Sequence, residues 1–203
     1  MNTNDFQPLE YNPDNCWKIM FDKQKEVFKK YLEVEKSDWN EEDFSVDCLQ
    51  DQELLKEFAW RIVEELTEMT EDIEHKDHYL EELVDSMNFL IELMIIYGWD
   101  KPFYDWQHVP YAHFDKTKLS ADHVIVSIYS VIEAVGQAMN LLKNRKWKEQ
   151  HYLVDLYKFE PRLKKIFTSF NLLVNELGVT EKMLFEVWSQ KLQVNAMRLE
   201  TKY

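Results

Sequence analysis

Residues 64–85 read EELTEMTEDIEHKDHYLEELVD, with seven glutamates and three aspartates in 22 positions. On a helix, residues three or four apart share a face. At about 100° per residue, Arg61, Glu64, Glu65 and Glu68 fall within one sector. Further along, Glu81, Asp85, Asn88 and Glu92 form a narrow polar stripe with Glu82 on its flank. The rest of that circumference is apolar, through Leu83, Val84, Met87, Leu90 and Ile91, so one edge of the stripe is expected to be partly buried. Either half alone is ordinary in an acidic helical protein, where a carboxylate stripe is a solvated face. The pair is more specific. Two antiparallel helices joined by a short loop can turn such carboxylates toward each other. Four oxygen donors so placed suit a hard cation such as Mg²⁺, which keeps several waters and binds substrate phosphate. Without a cation they repel one another.

The elements that must hold these residues follow from apolar periodicity and stop signals. A first helix is expected from about Asp14 to Glu35. A second spans about Gln50 to Thr70, with Leu55, Phe58, Ile62, Leu66 and Met69 at helical spacing. A third runs from about Asp77 to Tyr97 and stops at Gly98. Ser120 caps a fourth, which continues to about Lys143. A fifth follows Pro161, read as a first-turn residue, and stops at Gly178. Thr180 caps the sixth. Residues 1–15 read as an extended lead-in, 36–48 as a polar connection and 99–119 as a long ordered aromatic loop. About six main helices with short to moderate connections predict a single all-α, bundle-like domain over residues 1–203.

The totals agree. The chain has 203 residues, 45% of them hydrophobic and 14% aromatic, which is ample for a core. Three glycines and five prolines are too few for the many tight turns of an all-β fold. A formal net charge of −14 disfavours nucleic acid as a partner. It does not exclude a nucleotide, because a bound divalent cation reverses the local field. Cys16 and Cys48 stand apart, without a CxxC, and read as reduced cysteines of a cytoplasmic protein. The polar N-terminus MNTNDFQPLEYNPDN is not a signal peptide, and the apolar run MNFLIELMIIYGW is too short for a membrane span. The six histidines have no zinc spacing, and there is no Gly-rich phosphate loop.

Glu64-Glu65-x-x-Glu68, a thirteen-residue spacer, and Glu82-x-x-Asp85 with Asn88 three further on resemble the EExxE…ExxD signature of the all-α nucleoside triphosphate pyrophosphohydrolases. That superfamily includes MazG-type enzymes and dimeric dUTPases. The C-terminal Lys191-x3-Asn195-x2-Arg198-x4-Tyr203 resembles the closing element of the dimeric dUTPases and of the related phage dCTPase-dUTPases. Leu199 stands where that element has Gln, and Lys202 where it has Gly. LLKNRKWKEQ is similar to the family's KNRPWK-like stretch, with Lys146 in place of Pro. MFDKQKEVF is similar to a D-x-Q element, with Gln24 as its glutamine.

The resemblance implies an all-α fold, a homodimer and Mg²⁺-dependent hydrolysis of dUTP to dUMP and pyrophosphate, with two or more Mg²⁺ ions at the site. It assigns metal binding to Glu65, Glu68, Glu82 and Asp85. Glu65 or Glu64 would orient or deprotonate the attacking water. Lys143, Arg145, Lys148, Lys191, Asn195, Arg198 and Tyr203 would hold substrate, chiefly its phosphates. Asn88 would approach the sugar, Gln24 would read the base, and Trp60 could stack on it. For several of these the residues alone give a plainer reading. A basic helix end also compensates the helix dipole, a helical Gln is usually surface, and Trp60 and Phe89 fit core or rim packing. Preference for dCTP, acceptance of dUDP and another MazG-like base preference stay open. So does a non-enzymatic acidic interaction protein that mimics DNA charge.

Overall fold

A computed structural model describes residues 9–71, 73, 76–99, 121–144 and 153–201 of the chain. Six α-helices account for most of them: α1 (Cys16–Val34), α2 (Leu49–Glu71), α3 (Lys76–Tyr97), α4 (Ala121–Met139), α5 (Leu156–Glu176) and α6 (Glu181–Thr201). There is no strand among the described residues. The expected all-α architecture is therefore the one the chain adopts. No helix among them is long and apolar enough to cross a membrane.

The central element is α3. Leu83, Val84, Met87, Leu90, Met94 and Ile96 are all fully buried, which places apolar side chains around most of the helix. It packs against α1, α2 and α6, while its last turn reaches α5 through Tyr97, whose ring lies 5.5 Å from that of Phe159. α2 also packs on α4, and α4 on α5. One continuous core results, filled by large side chains such as Trp188, Phe28, Phe58, Phe159 and Phe170. Each contributes roughly 1.5–3 kcal/mol through the apolar surface it removes from water.

Local chemistry explains the helix ends. Gly98 (φ 76°) ends α3, and its amide and that of Trp99 bond back to Ile95 and Met94 carbonyls. Gly178 (φ 67°) ends α5 in the same way. Glycine adopts this left-handed turn without a Cβ penalty. Thr180 does cap α6, accepting the Met183 amide at 3.2 Å. The connection over 36–48 contains one 3₁₀ turn, Glu41–Asp43, capped by the Asn40 side chain.

Two boundaries differ from expectation. α5 starts at Leu156, so Pro161 lies inside it rather than in its first turn. Asp155 supplies the carbonyl for the Lys158 and Phe159 amides, and burial of Phe159 draws the chain into helix before the proline. Pro161 is exposed there, so the carbonyl it leaves unbonded can face water. α4 ends at Met139, four residues before Lys143. The amides of Lys143 and Asn144 donate instead to Gln52 Oε1, at 2.5 and 2.8 Å, and this tie to α2 replaces a further helical turn. The expectations for residues 1–8 and 100–120 lie outside the described residues.

Candidate active site

α2 and α3 form an antiparallel hairpin, as their cross-contacts show. Phe58 meets Phe89 with ring centroids 6.2 Å apart, Arg61 lies 5.6 Å from the Phe89 ring, and Glu65 meets Glu82 and Asp85. One carboxylate oxygen from each of Glu65, Glu82 and Asp85 lies within 4.8 Å of the others. Among the described residues these three form the one group of His, Cys, Asp or Glu side chains placed to share a metal ion. Helical periodicity puts each on the facing side, and the short connection brings the faces together.

The group is electrostatically strained. Burial pushes the Glu65 carboxyl up to about 8, helped by a hydrogen bond with Glu82 and by the charges of Asp85, Glu82 and Glu68. Asp85 is also raised by burial, while Lys191 pulls it back. Lys191 reaches across from α6, hydrogen-bonds Asp85 and lies 3.6 Å from Glu81. Burial works against the Lys191 charge, but Asp85, Glu81 and Glu82 outweigh it and raise its pKa. Three oxygen donors converging from two rigid helices, short of positive charge, are chemically suited to a hard divalent cation.

Glu65 and Asp85 form one side of a cleft of about 320 Å³. Gln24 of α1, Asn88 and Glu92 of α3, and Asn195 and Arg198 of α6 line the remainder with Arg61. The stripe on α3 thus changes character along the helix. Glu81 is exposed, Glu82 and Asp85 are half-buried, and Asn88 and Glu92 are buried. At the buried end Gln24 Nε2 donates to Glu92 Oε1 at 2.9 Å. Burial pushes Glu92 up to about 8, opposed by Gln24 and the Arg61 charge. The Arg61 guanidinium sits within 5.6–6.0 Å of the Phe89, Phe58 and Tyr31 rings and hydrogen-bonds Glu57 at 3.2 Å.

The structure brings together Glu65, Asp85, Gln24, Asn88, Asn195 and Arg198 around one cleft, with Glu82 meeting Glu65 and Asp85 beside it and Lys191 on its carboxylate edge. It sets others apart. Glu68 is exposed and lies outside the three-carboxylate group, reaching Glu65 only through its charge. Trp60 is 61% exposed and donates its indole N–H to Glu64 at 2.8 Å, so neither lines the cleft. Position 60 is turned about 100° from Arg61 on the same helix, which aims it outward. Lys143 is tied through its amide to Gln52 and does not line the cleft. Arg145, Lys148 and Tyr203 lie outside the described residues. Arg61 and Glu92 received no role from motif spacing. Arg61 is one turn before Glu65, and Glu92 one turn after Asn88, so helical period was the signal that could have found them.

No family model, curated protein or solved structure matches the chain.

Proposed function

We propose that the protein hydrolyses a deoxynucleoside triphosphate, dUTP in the first instance, to the monophosphate and pyrophosphate with Mg²⁺ as cofactor. The observation that carries this reading is the convergence of Glu65, Glu82 and Asp85 at the edge of a cleft that Glu65 and Asp85 line and whose other end holds the amides of Gln24 and Asn88. A triphosphate needs the first feature and a base and sugar need the second. Bound Mg²⁺ would supply charge neutralisation on the phosphates and acidify a water. Glu65, Glu82 and Asp85 would hold it. Glu65, which shares a hydrogen bond with Glu82, would be the carboxylate that takes a proton from the attacking water, since Glu64 does not line the cleft. Arg198 and Lys191 would meet phosphate oxygens, with Lys191 giving up Asp85 to do so. The reading brings a homodimer with it, which light scattering of the purified chain would test.

A DNA-mimicking interaction protein would spread its carboxylates over an exposed face. The half-buried group beside a cleft favours the enzymatic reading. The test is a panel of dUTP, dCTP, dTTP, dATP, dGTP, UTP and dUDP with Mg²⁺, with products resolved. Chelator-sensitive conversion of dUTP to dUMP and pyrophosphate is the expected result. No turnover of any nucleotide by folded protein would return the carboxylates to an acidic surface.

A further inference from the structure

The end of the cleft away from the carboxylates contains a polar pair with a separate role. Gln24 and Glu92 are 3% and 6% exposed, and their hydrogen bond joins α1 to α3. Two observations indicate that this end receives a ligand. Both side chains line the cleft beside the Tyr31 and Phe89 rings. Asn88, one turn before Glu92 and 4% exposed, lines the same cleft with a buried Oδ1 that has no hydrogen-bond partner. A buried acceptor without a donor is uncommon in folded proteins and marks a place where a donor arrives.

A carboxylate accepts hydrogen bonds and cannot donate them. When ionised, above the value of about 8 to which burial pushes it, Glu92 takes the N–H side of the Gln24 amide and refuses its oxygen. We propose that Glu92 is a positioning residue: it holds the Gln24 carboxamide in one orientation, so that the remaining N–H and Oε1 meet a ligand ring in a fixed order. This rests on the nucleotide reading given above and deepens it. Uracil offers donor N3–H beside acceptor O4. Cytosine offers acceptor N3 beside donor N4–H at the same two places. One amide orientation pairs with one of these bases and opposes the other, and a flipped amide reverses the choice. A site built to hydrogen-bond one pattern rejects the reversed one because its own buried groups are left unpaired. Glu92 thus sets base selection through Gln24.

The experiment compares kcat/KM for dUTP and dCTP at pH 9, above the value of about 8 to which burial pushes Glu92. Wild type, Glu92→Gln and Glu92→Leu are measured with Gln24 present and in a Gln24→Ala background. Wild type is expected to separate the two nucleotides by at least roughly tenfold, the scale of one mispaired hydrogen bond. The amide of Glu92→Gln can donate or accept, so Gln24 can flip and the ratio moves toward one. Glu92→Leu removes the buried polar group without adding another, and serves if Glu92→Gln does not fold. Without Gln24, substitution at 92 should leave the ratio unaltered. A wild-type ratio near one, a ratio unaltered by both variants, or a change that persists without Gln24 overturns the proposal. If wild type hydrolyses neither nucleotide, the nucleotide reading itself has failed. Exchange of the Gln24 side-chain N–H signals in ¹⁵N spectra then decides: faster exchange in the variants supports Glu92 as the anchor, and equal exchange overturns it.

Discussion

Glu181 and Glu65 are both half-buried carboxylates on helices, and their surroundings are opposite. Glu181 opens α6 and accepts from Tyr11 Oη at 2.8 Å, Trp17 Nε1 at 2.9 Å and Cys16 Sγ at 3.1 Å. Its position in the first turn also suits the positive end of the helix dipole. Glu65 instead faces Glu82 and Asp85, and its carboxyl is forced toward protonation. The first carboxylate is satisfied by neutral donors from α1 and the segment before it, and it fastens the N-terminal region to α6. The second belongs to a group whose charge the fold answers only in part, through α6. A carboxylate that structure needs is given its donors by structure. One that is held short of donors on rigid helices is, on the function proposed above, the place for a cation that comes from outside.

The widest separation between the two regions should appear in activity. Glu65→Gln and Asp85→Asn are expected to lower dUTP hydrolysis by at least about a hundredfold. The thermal midpoint of Glu65→Gln should stay near wild type, because Glu65 is already forced toward protonation, and Asp85→Asn should lose no more than the roughly 1 kcal/mol of its Lys191 ion pair. Glu181→Ala should behave in the reverse manner. Three part-buried donors lose their acceptor, at about 1–3 kcal/mol for the first and less for those that find water, so the loss is about 2–4 kcal/mol. Burial and then the Glu181 hydrogen bond and charge push the Cys16 thiol up to about 12, and its reaction with a thiol reagent should speed up in the same variant. Melting curves and single-turnover rates on the three variants check this. An unstable Glu65→Gln, or an inactive but stable Glu181→Ala, would erase the contrast.

The next effect is a pH dependence peculiar to the cleft. Glu65 and Glu92 are both raised from 4.5 to about 8. The folded protein therefore holds these protons more tightly than the unfolded chain. Their contribution to stability is fully present below about pH 4.5 and is lost as pH rises through about 8. Thermal midpoints in chelator should fall across that window by several degrees. Mg²⁺ favours the ionised carboxylates, so it should remove the Glu65 share of the slope. The Glu92 share should persist with Mg²⁺ and disappear in Glu92→Gln. An unchanged slope on adding Mg²⁺ would mean that no cation reaches Glu65.

Much of this arrangement was legible in the chain, for identifiable reasons. The expected second helix, about Gln50–Thr70, differs from α2 by one residue at each end, and the third, about Asp77–Tyr97, from α3 by one residue at its start. Long apolar stripes and Gly98 mark them independently of the rest of the fold. The facing of Glu65 toward Glu82 and Asp85 follows from period and a short connection, both local properties. What escaped depends on contacts between distant segments. The end of α4 is set by Gln52, 91 residues from Lys143. The start of α5 is set by burial of Phe159, and a proline in sequence gives no sign of that. Glu92 stands in the polar stripe, yet only the approach of α1 turns it from a surface acid into a buried partner of Gln24.

The smallest expected effect is also the one that best probes the difference between the two carboxylate regions. Lys191 and Asp85 are 22% and 23% exposed, so their ion pair is neither dry nor fully screened, and the pairing is worth about 1 kcal/mol. Lys191→Met keeps the aliphatic reach of the side chain and removes the charge. In chelator the variant should lose about 1 kcal/mol of stability. With Mg²⁺ the sign should turn, because Asp85 is then free to bind the ion and no lysine competes for it. Calorimetric titration should give tighter Mg²⁺ binding in Lys191→Met than in wild type, while the KM for dUTP rises through loss of a phosphate contact. A purely structural lysine would lower stability equally in chelator and in Mg²⁺, as Glu181→Ala should, and would leave Mg²⁺ affinity where it was. Equal losses would therefore move Lys191 and Asp85 out of the cleft's chemistry and into the same class as the Glu181 fastening.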